Sequence, residues 1–436
     1  MSIKLSWADT ISLYAFNVTA FAILGLLFVT RPTTWLPTLV VLLASVAALF
    51  FKKYRSRCLG VWSRGQYQWI AKAFLAWFLV ALFLALLHSA EGVLNFPDNE
   101  LRMVLALTLL AMLVQPNSRS WFLWGLALAG FAALYWALQS WPWTTVSRVQ
   151  ATTNNAIHFG NLSAVVALLT ATVAFCAIDL RWRGQAVFIL AAICGAVGAA
   201  SSLSRSSFVV LLCLLPVGFV GAKTTLKLWF QRGLFVFLIA ATVGLTVSTT
   251  LRDKLRISEA VADVQQMAQG NYQSSLGARV AMWKTAWLIF EEHPLIGIGA
   301  GHFQAQIIRR IEMGEIPTTE IYNQPHSDIM HSLSSGGLLK FFAYLGILFA
   351  PFVFFYKRFR DEKNNSDRWL MSILGMQVVG AYFLTGLTNS NFDLQIYSTT
   401  DAVLVCVLAK LSSLDDSDAI NAAEPSKPLT PAAPSC

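Results

Sequence analysis

The stretch IAKAFLAWFLVALFLALLH (70–88) decides the fold, because after Lys72 it carries no charge, no glycine and no proline until His88. Roughly 20 apolar residues in a helix cross the ~30 Å hydrocarbon layer of a bilayer. Similar runs recur on both sides of it, near 11–29, 35–51, 102–115, 121–139, 158–178, 186–200, 207–222, 232–250, 336–356, 370–388 and 396–412. Lipid offers no partner for backbone N–H and C=O groups, so continuous apolar runs of this length are helices. The chain therefore reads as an all-α polytopic membrane protein of about twelve spans. Its composition agrees: of 436 residues, 56% are hydrophobic and 13% charged, and the mean hydropathy is +0.58, too apolar for a soluble fold of this length.

Charge between the runs sets the expected orientation, since Lys and Arg are retained on the cytoplasmic side. Alternate short connections carry Lys52, Lys53, Arg55, Arg57 and Arg64, then Arg119, then Arg181 and Arg183, then Lys223, Lys227 and Arg232, and finally Lys357, Arg358, Arg360, Lys363 and Arg368. The opposite short connections carry only Arg31, Arg102, Arg148 and Arg205. Both termini are thus predicted inside, with a long outer segment at 251–335. The expected organisation is nine transmembrane helices over 1–250, the outer helical segment 251–335, three more transmembrane helices over 336–412, and a polar, Pro- and Ala-rich cytoplasmic tail at 413–436 predicted to be disordered. The formal charge of +9 belongs mostly to the inner rim and does not point to nucleic acid. Met1 to Trp7 lead straight into a full-length span, so the first span is expected to be its own insertion signal. No cysteine falls in an outer connection, which argues against a disulfide framework or a cysteine zinc site there.

Under this topology His88, His158, His293, His302, His326 and His331 all fall at the outer rim or in the outer segment. That gathering points to a polar cavity on one face, although a lone histidine is more often a hydrogen-bonded bystander. His326 and His331 are five apart, roughly 140° around a helix, whereas two metal ligands on one face need three or four; no metal is expected. Asp328 between them orients an imidazole or is solvated. Within GARVAMWKTAWLIFEEH (277–293), Val280, Trp283, Trp287 and Phe290 recur at helical spacing, which predicts an amphipathic helix with an aromatic face at headgroup depth. The helix breaks at Pro294 into LIGIGAGHF (295–303), where Gly297, Gly299 and Gly301 permit close backbone approach but lack the context of a nucleotide loop. Arg205, in the short turn SSLSRSS (201–207), is costly at that depth unless it snorkels to headgroups or faces a wet cavity or an anion. Arg148 carries the same pair of readings. Arg205, Arg279 and Arg148 converging on one spot would form a diphosphate clamp, since an arginine fork matches phosphate oxygens.

RVAMWKTAWLIFEEHPLIGIGAGHF (279–303), followed by PHSDIMHSLSSGGLLK (325–340), resembles the O-antigen ligase family of bacterial envelope glycosyltransferases. The ligase branch shows His, then Asn, Ser or Gln, nine residues, Gly, two residues, then Gly, Thr or Tyr. His326, Ser327 and Gly337 fit that spacing, while Lys340 departs from its last position. The resemblance implies an inverting, metal-free and cofactor-free transfer of a polysaccharide from undecaprenyl diphosphate to a sugar hydroxyl of lipid A-core. It implies that this happens at the periplasmic face of the bacterial inner membrane, completing lipopolysaccharide. It makes His326 the essential histidine and Arg205 and Arg279 the periplasmic arginines; His331, Asp328 and Asp393, the last in TNSNFD (388–393), stand as supporting residues. The related O-antigen polymerases tend to show an Arg, ten residues and a Gly in two outer loops; Arg148, Arg205, Arg279, Arg309 and Arg310 have no glycine at that offset. Protein O-oligosaccharyltransferases use the same donor and usually carry a longer C-terminus. A transporter would need ionisable or helix-breaking residues at mid-membrane, of which the spans are nearly free.

Overall fold

The computed structural model describes residues 7–29, 35–63, 65–89, 95–115, 117–143, 148–177, 182–218, 257–269, 272, 274–316, 321–362 and 367–414. The predicted span at 232–250, the tail beyond residue 414 and the basic residues Arg31, Arg64, Arg181, Lys223, Lys227, Arg232 and Lys363 lie outside them.

Among the described residues the regular structure is helical: Trp7–Gly25 (α1), Trp35–Phe50 (α2), Lys52–Ser63 (α3), Gln68–Leu87 (α4), Asp98–Ala106 (α5), Ser118–Gln139 (α6), Ala156–Cys176 (α7), Trp182–Ser201 (α8), Arg205–Gly218 (α9), Ile257–Ala268 (α10), Ser275–Glu292 (α11), Phe303–Glu312 (α12), Asp328–Asp361 (α13), Asp367–Gly386 (α14) and Gln395–Leu411 (α15). A short 3-10 turn, Leu107–Ala111, extends α5. Among the described residues six helices, α4, α6, α7, α8, α13 and α14, are long and apolar enough to cross a membrane, and Asp9–Gly25 and Arg205–Gly218 are shorter apolar helices. The chain is a polytopic all-α membrane protein.

The bundle is built inward from small residues. Gly125 of α6 lies against the backbone of Phe21 in α1, and Gly130 against that of Ala191 in α8, where a methyl group would meet backbone atoms at 2.3 and 2.4 Å. With no hydrophobic drive between helices in lipid, such close approach is what dispersion needs. α7 and α14 are buried on nearly all sides, while α4, α6, α8 and α13 keep faces of Leu, Phe and Trp outward. The basic connection after the second span forms α3 rather than a plain loop, because Tyr54 and Val61 are buried, the Tyr54 hydroxyl donates to the Thr108 carbonyl (2.8 Å), and Arg57 pairs with Asp9 (3.0 Å). Arg119 bonds Asp367 (2.7 Å) where α6 and α14 begin, at the end of the bundle away from the histidines.

The helix α11 forms as predicted, and its faces are informative. Ala278, Ala281, Met282, Thr285, Ala286 and Ile289 are buried, while Trp287 is exposed and Val280, Trp283 and Phe290 are half-buried. The aromatic stripe is therefore the outward side, and the small-residue side packs inward. Met282, Ala286 and Ile289 share a small core with Phe303 and Ile307 of α12, and Met330 of α13 packs onto it. That core ties the helical segment containing α11 and α12 to the bundle.

α13 is broken at Gly337, whose φ of 59° and ψ of −155° suit glycine alone. The Gly-rich run fills the break. Leu338 N–H donates to the Pro294 carbonyl (2.8 Å) and Leu339 N–H to that of Leu295 (3.2 Å), while Ile298 and Gly299 N–H donate to Ser334 and Ser335 (3.0 and 2.9 Å). Backbone groups that a broken membrane helix would orphan are thus satisfied by a second segment.

Candidate active site

His326 sits just ahead of α13 with φ at 49°, a left-handed conformation rare for any residue with a side chain. Ala151, Asn154 and Leu203 share that conformation at the same end of the bundle. Strain of this kind persists only where surrounding structure over-determines it. Here it turns the imidazole into a cavity of about 500 Å³. Asn155, Ile157 and His158 from the start of α7, Arg279 and Met282 from α11, Tyr322 and Gln324 from the approach to α13, and Thr388 and Asn389 beyond α14 line it with His326.

Asn389 fixes the imidazole. Its amide nitrogen donates to Asn391 Oδ1 (2.9 Å), and Asn391 Nδ2 in turn donates to Thr385 Oγ1 (2.8 Å) and the Tyr382 carbonyl (3.2 Å). The Asn389 side chain also hydrogen-bonds His326, in the sense that favours the protonated ring. A bond of that sense is one in which the Asn389 oxygen accepts a ring N–H. The other ring nitrogen then carries a lone pair. Burial, and next the Arg279 guanidinium, push the His326 pKa below its ordinary 6.5, against the smaller pull of Asn389. The ring is therefore neutral at pH 7 and able to accept a proton.

Among the described residues the lining contains no Asp or Glu. The Arg279 guanidinium makes the cavity attractive to an anion. Of the other predicted arginines, Arg148 Nε donates to the Ser202 carbonyl (2.8 Å), where it braces the turn before α9. Arg205 is exposed as the first residue of α9, beside Ser206, whose hydroxyl donates to Asn161 Oδ1 on α7 (2.6 Å). Neither belongs to the lining of this cavity.

The remaining predicted residues gather elsewhere. Asp328 is buried at the start of α13, where Oδ1 accepts the Phe392 N–H (3.2 Å) and its carboxylate fills the space beside Gly386. His331 Nε2 faces Asp393 Oδ1 at 3.7 Å. Both line a second cavity, of about 310 Å³, together with His88, Glu100, His302 and Lys340. Two positions thus separate what the sequence grouped: His326 opens to one cavity and His331 to the other. Among the described residues no three His, Cys, Asp or Glu side chains are grouped to hold a metal ion. Sequence reasoning did not single out Asn389 or Glu100; the TNSNFD connection did mark the right loop, through its acid rather than its amide.

The O-antigen ligase profile matches residues 190–345. That stretch contains Arg205, Arg279, His326, Asp328, His331 and Gly337. Over that stretch the chain is similar to the O-antigen ligase family. Members of the family are glycosyltransferase-like enzymes. An uncharacterized protein of Haemophilus influenzae is similar as well, 27% identical over 156 residues. The similarity covers 34% of this chain and spans 39% of the length of that relative. Within residues 190–345 lie His326, Arg279 and the broken helix; Asn389 and the α7 wall of the cavity come from outside them.

Proposed function

We propose that the protein transfers a glycan from an undecaprenyl diphosphate carrier to a sugar hydroxyl of lipid A-core, on the periplasmic side of the inner membrane, as an O-antigen ligase. The observation that carries this reading is a cavity in which Arg279 stands beside a neutral, amide-oriented His326, with no carboxylate among the described lining residues. The acceptor hydroxyl attacks the anomeric carbon, a C–O bond forms, and the bond from that carbon to the diphosphate oxygen breaks with inversion. His326 takes the hydroxyl proton. The diphosphate keeps the bonding electron pair, and Arg279 offsets the developing charge. Arg205, at the same end, meets the outer part of the carrier's headgroup, and Arg148 supports it by holding the turn at Ser202. Asp328 holds the 389–393 connection in place through Phe392. No step requires a metal or a nucleotide.

The experiment is transfer by purified protein in vesicles, in excess chelator, with donor and acceptor supplied separately. Glycan appearing on lipid A-core is the expected result. Glycan lengthening on the carrier alone would instead assign a polymerase, and transfer to protein an O-oligosaccharyltransferase. Activity lost in chelator and restored by one metal would end the metal-free mechanism.

A further inference from the structure

The second cavity differs in chemistry from the first. Glu100 and Lys340 are both buried in its wall, and the Lys340 ammonium lies 5.4 Å from the centre of the Trp77 ring. Asp98 and Asp393 supply further carboxylates. His88 Nδ1 donates to the Leu84 carbonyl (2.8 Å), leaving Nε2 as an acceptor. Both ring nitrogens of His331 are buried with no hydrogen-bond partner among the described residues, its contact to Asp393 being too long for one. A buried donor or acceptor left unmade costs on the order of 1–3 kcal/mol, so these groups call for an occupant that bonds them.

The occupant's class follows by elimination. An anion would meet three carboxylates, a cation would meet Lys340, and an apolar group would leave both signs of charge unsolvated. A polyhydroxylated ring donates and accepts at every hydroxyl and presents C–H faces to apolar walls such as Phe96. The two cavities are back to back: Tyr322 and Gln324 face the first and Asn323 the second, as Asn389 faces the first and Asp393 the second. We propose that the second cavity is a sugar-binding subsite seating one ring of a glycan substrate next to the reacting centre. This rests on the glycosyl-transfer reading. Lys340, where the resembled motif has Gly, Thr or Tyr, makes the subsite's selectivity particular to this chain.

The test is direct binding to the full chain, with the histidine ring carbons isotope-labelled and the six signals assigned by single His→Gln variants. Three probes are added in turn: undecaprenyl diphosphate without sugar, the carrier bearing its glycan, and lipid A-core glycolipid. The bare carrier should move the His326 and His158 signals and leave His88, His302 and His331 in place. Movement of those three by lipid A-core identifies the acceptor's sugar as the occupant; movement by the glycosylated carrier identifies the donor's. Lys340→Gln should weaken that binding about tenfold, and Asn323→Ala, at an exposed position that threatens folding less, by a smaller factor. If neither glycan moves the three signals, or both variants bind as wild type, the subsite is refuted even if transfer is robust. Sugar binding there with no transfer in any assay would instead refute the glycosyl-transfer reading.

Discussion

The two cavities at the histidine-bearing end share a partition and almost nothing else. One holds about 500 Å³, a strained neutral imidazole, an arginine and, among the described residues, no carboxylate; the other holds about 310 Å³ and mixes Asp98, Glu100 and Asp393 with Lys340 and three histidines. A field of one sign suits a diphosphate, and a mosaic of donors and acceptors suits hydroxyls. Five of six histidines that look alike in the sequence are thus divided by the fold between two cavities, while His293 lines neither. Substitutions that act on one cavity and spare the other are the way to break that division.

The largest effect should come from His326. Its replacement should lower transfer by about 10² to 10⁴-fold and leave binding of bare carrier intact. Because the position is left-handed, Asn, which tolerates that conformation, is a better probe than Ala. His326→Asn should keep the wild-type melting temperature, so a stable variant with near-normal turnover would remove the base from this cavity. The matching change across the partition, His331→Gln, should leave turnover at saturating glycolipid far less affected.

Arg279 comes next. Arg279→Lys keeps the charge and loses the planar fork, and transfer should fall about 10²-fold with weaker binding of the diphosphate. Wild-type rates and donor affinity in both Lys and Ala variants, at normal protein levels, would return Arg279 to a snorkelling role.

Gly337 tests what both cavities have in common, the broken helix that carries Lys340 on one side of the break and His331 on the other. A methyl group there would lie 2.4 Å from the Leu295 carbonyl carbon, at a backbone conformation closed to other residues. Gly337→Ala should cost on the order of 3 kcal/mol, read as a lower melting temperature in detergent. Ligand signals of both histidine sets should be disturbed together.

How much of this was legible follows from the range of the interactions. The all-α membrane fold was readable because lipid imposes one rule on every apolar run; six described helices on the predicted runs are long enough to cross, while 102–115 forms only the short α5 and a 3-10 turn. The glycines at 297, 299 and 301 were readable as places of close backbone approach, but their partner was not. The pairing of 294–299 with 334–339 is long-range, and nothing in SSGGLLK (334–340) announces a helix broken to receive it. The separation of His326 from His331 depends on an irregular, bent segment in which Tyr322, Gln324 and His326 face one cavity and Asn323 the other, a feature invisible until 321–327 is known to be non-helical. Asn389 carried no signal of its own, because an amide becomes a positioning group only through the atom it meets.

The smallest expected effect is the most diagnostic, because its sign differs between two neighbours of one ring. Neutral His326 is the active form, and its pKa lies below 6.5, so kcat/KM should be on a plateau at pH 7 and fall as pH drops through that lowered value. Asn389 favours the protonated ring, so Asn389→Leu should lower the pKa further and move the acid limb to lower pH. Its plateau should fall about tenfold as the ring loses its fixed tautomer. Arg279 disfavours the protonated ring, so Arg279→Gln should raise the pKa and move the limb to higher pH. A residue that merely supports the fold would lower the plateau and leave the limb in place. Limbs that move in the same direction, or that both stay still while the plateaus fall, would show that the titrating group in this cavity is not His326.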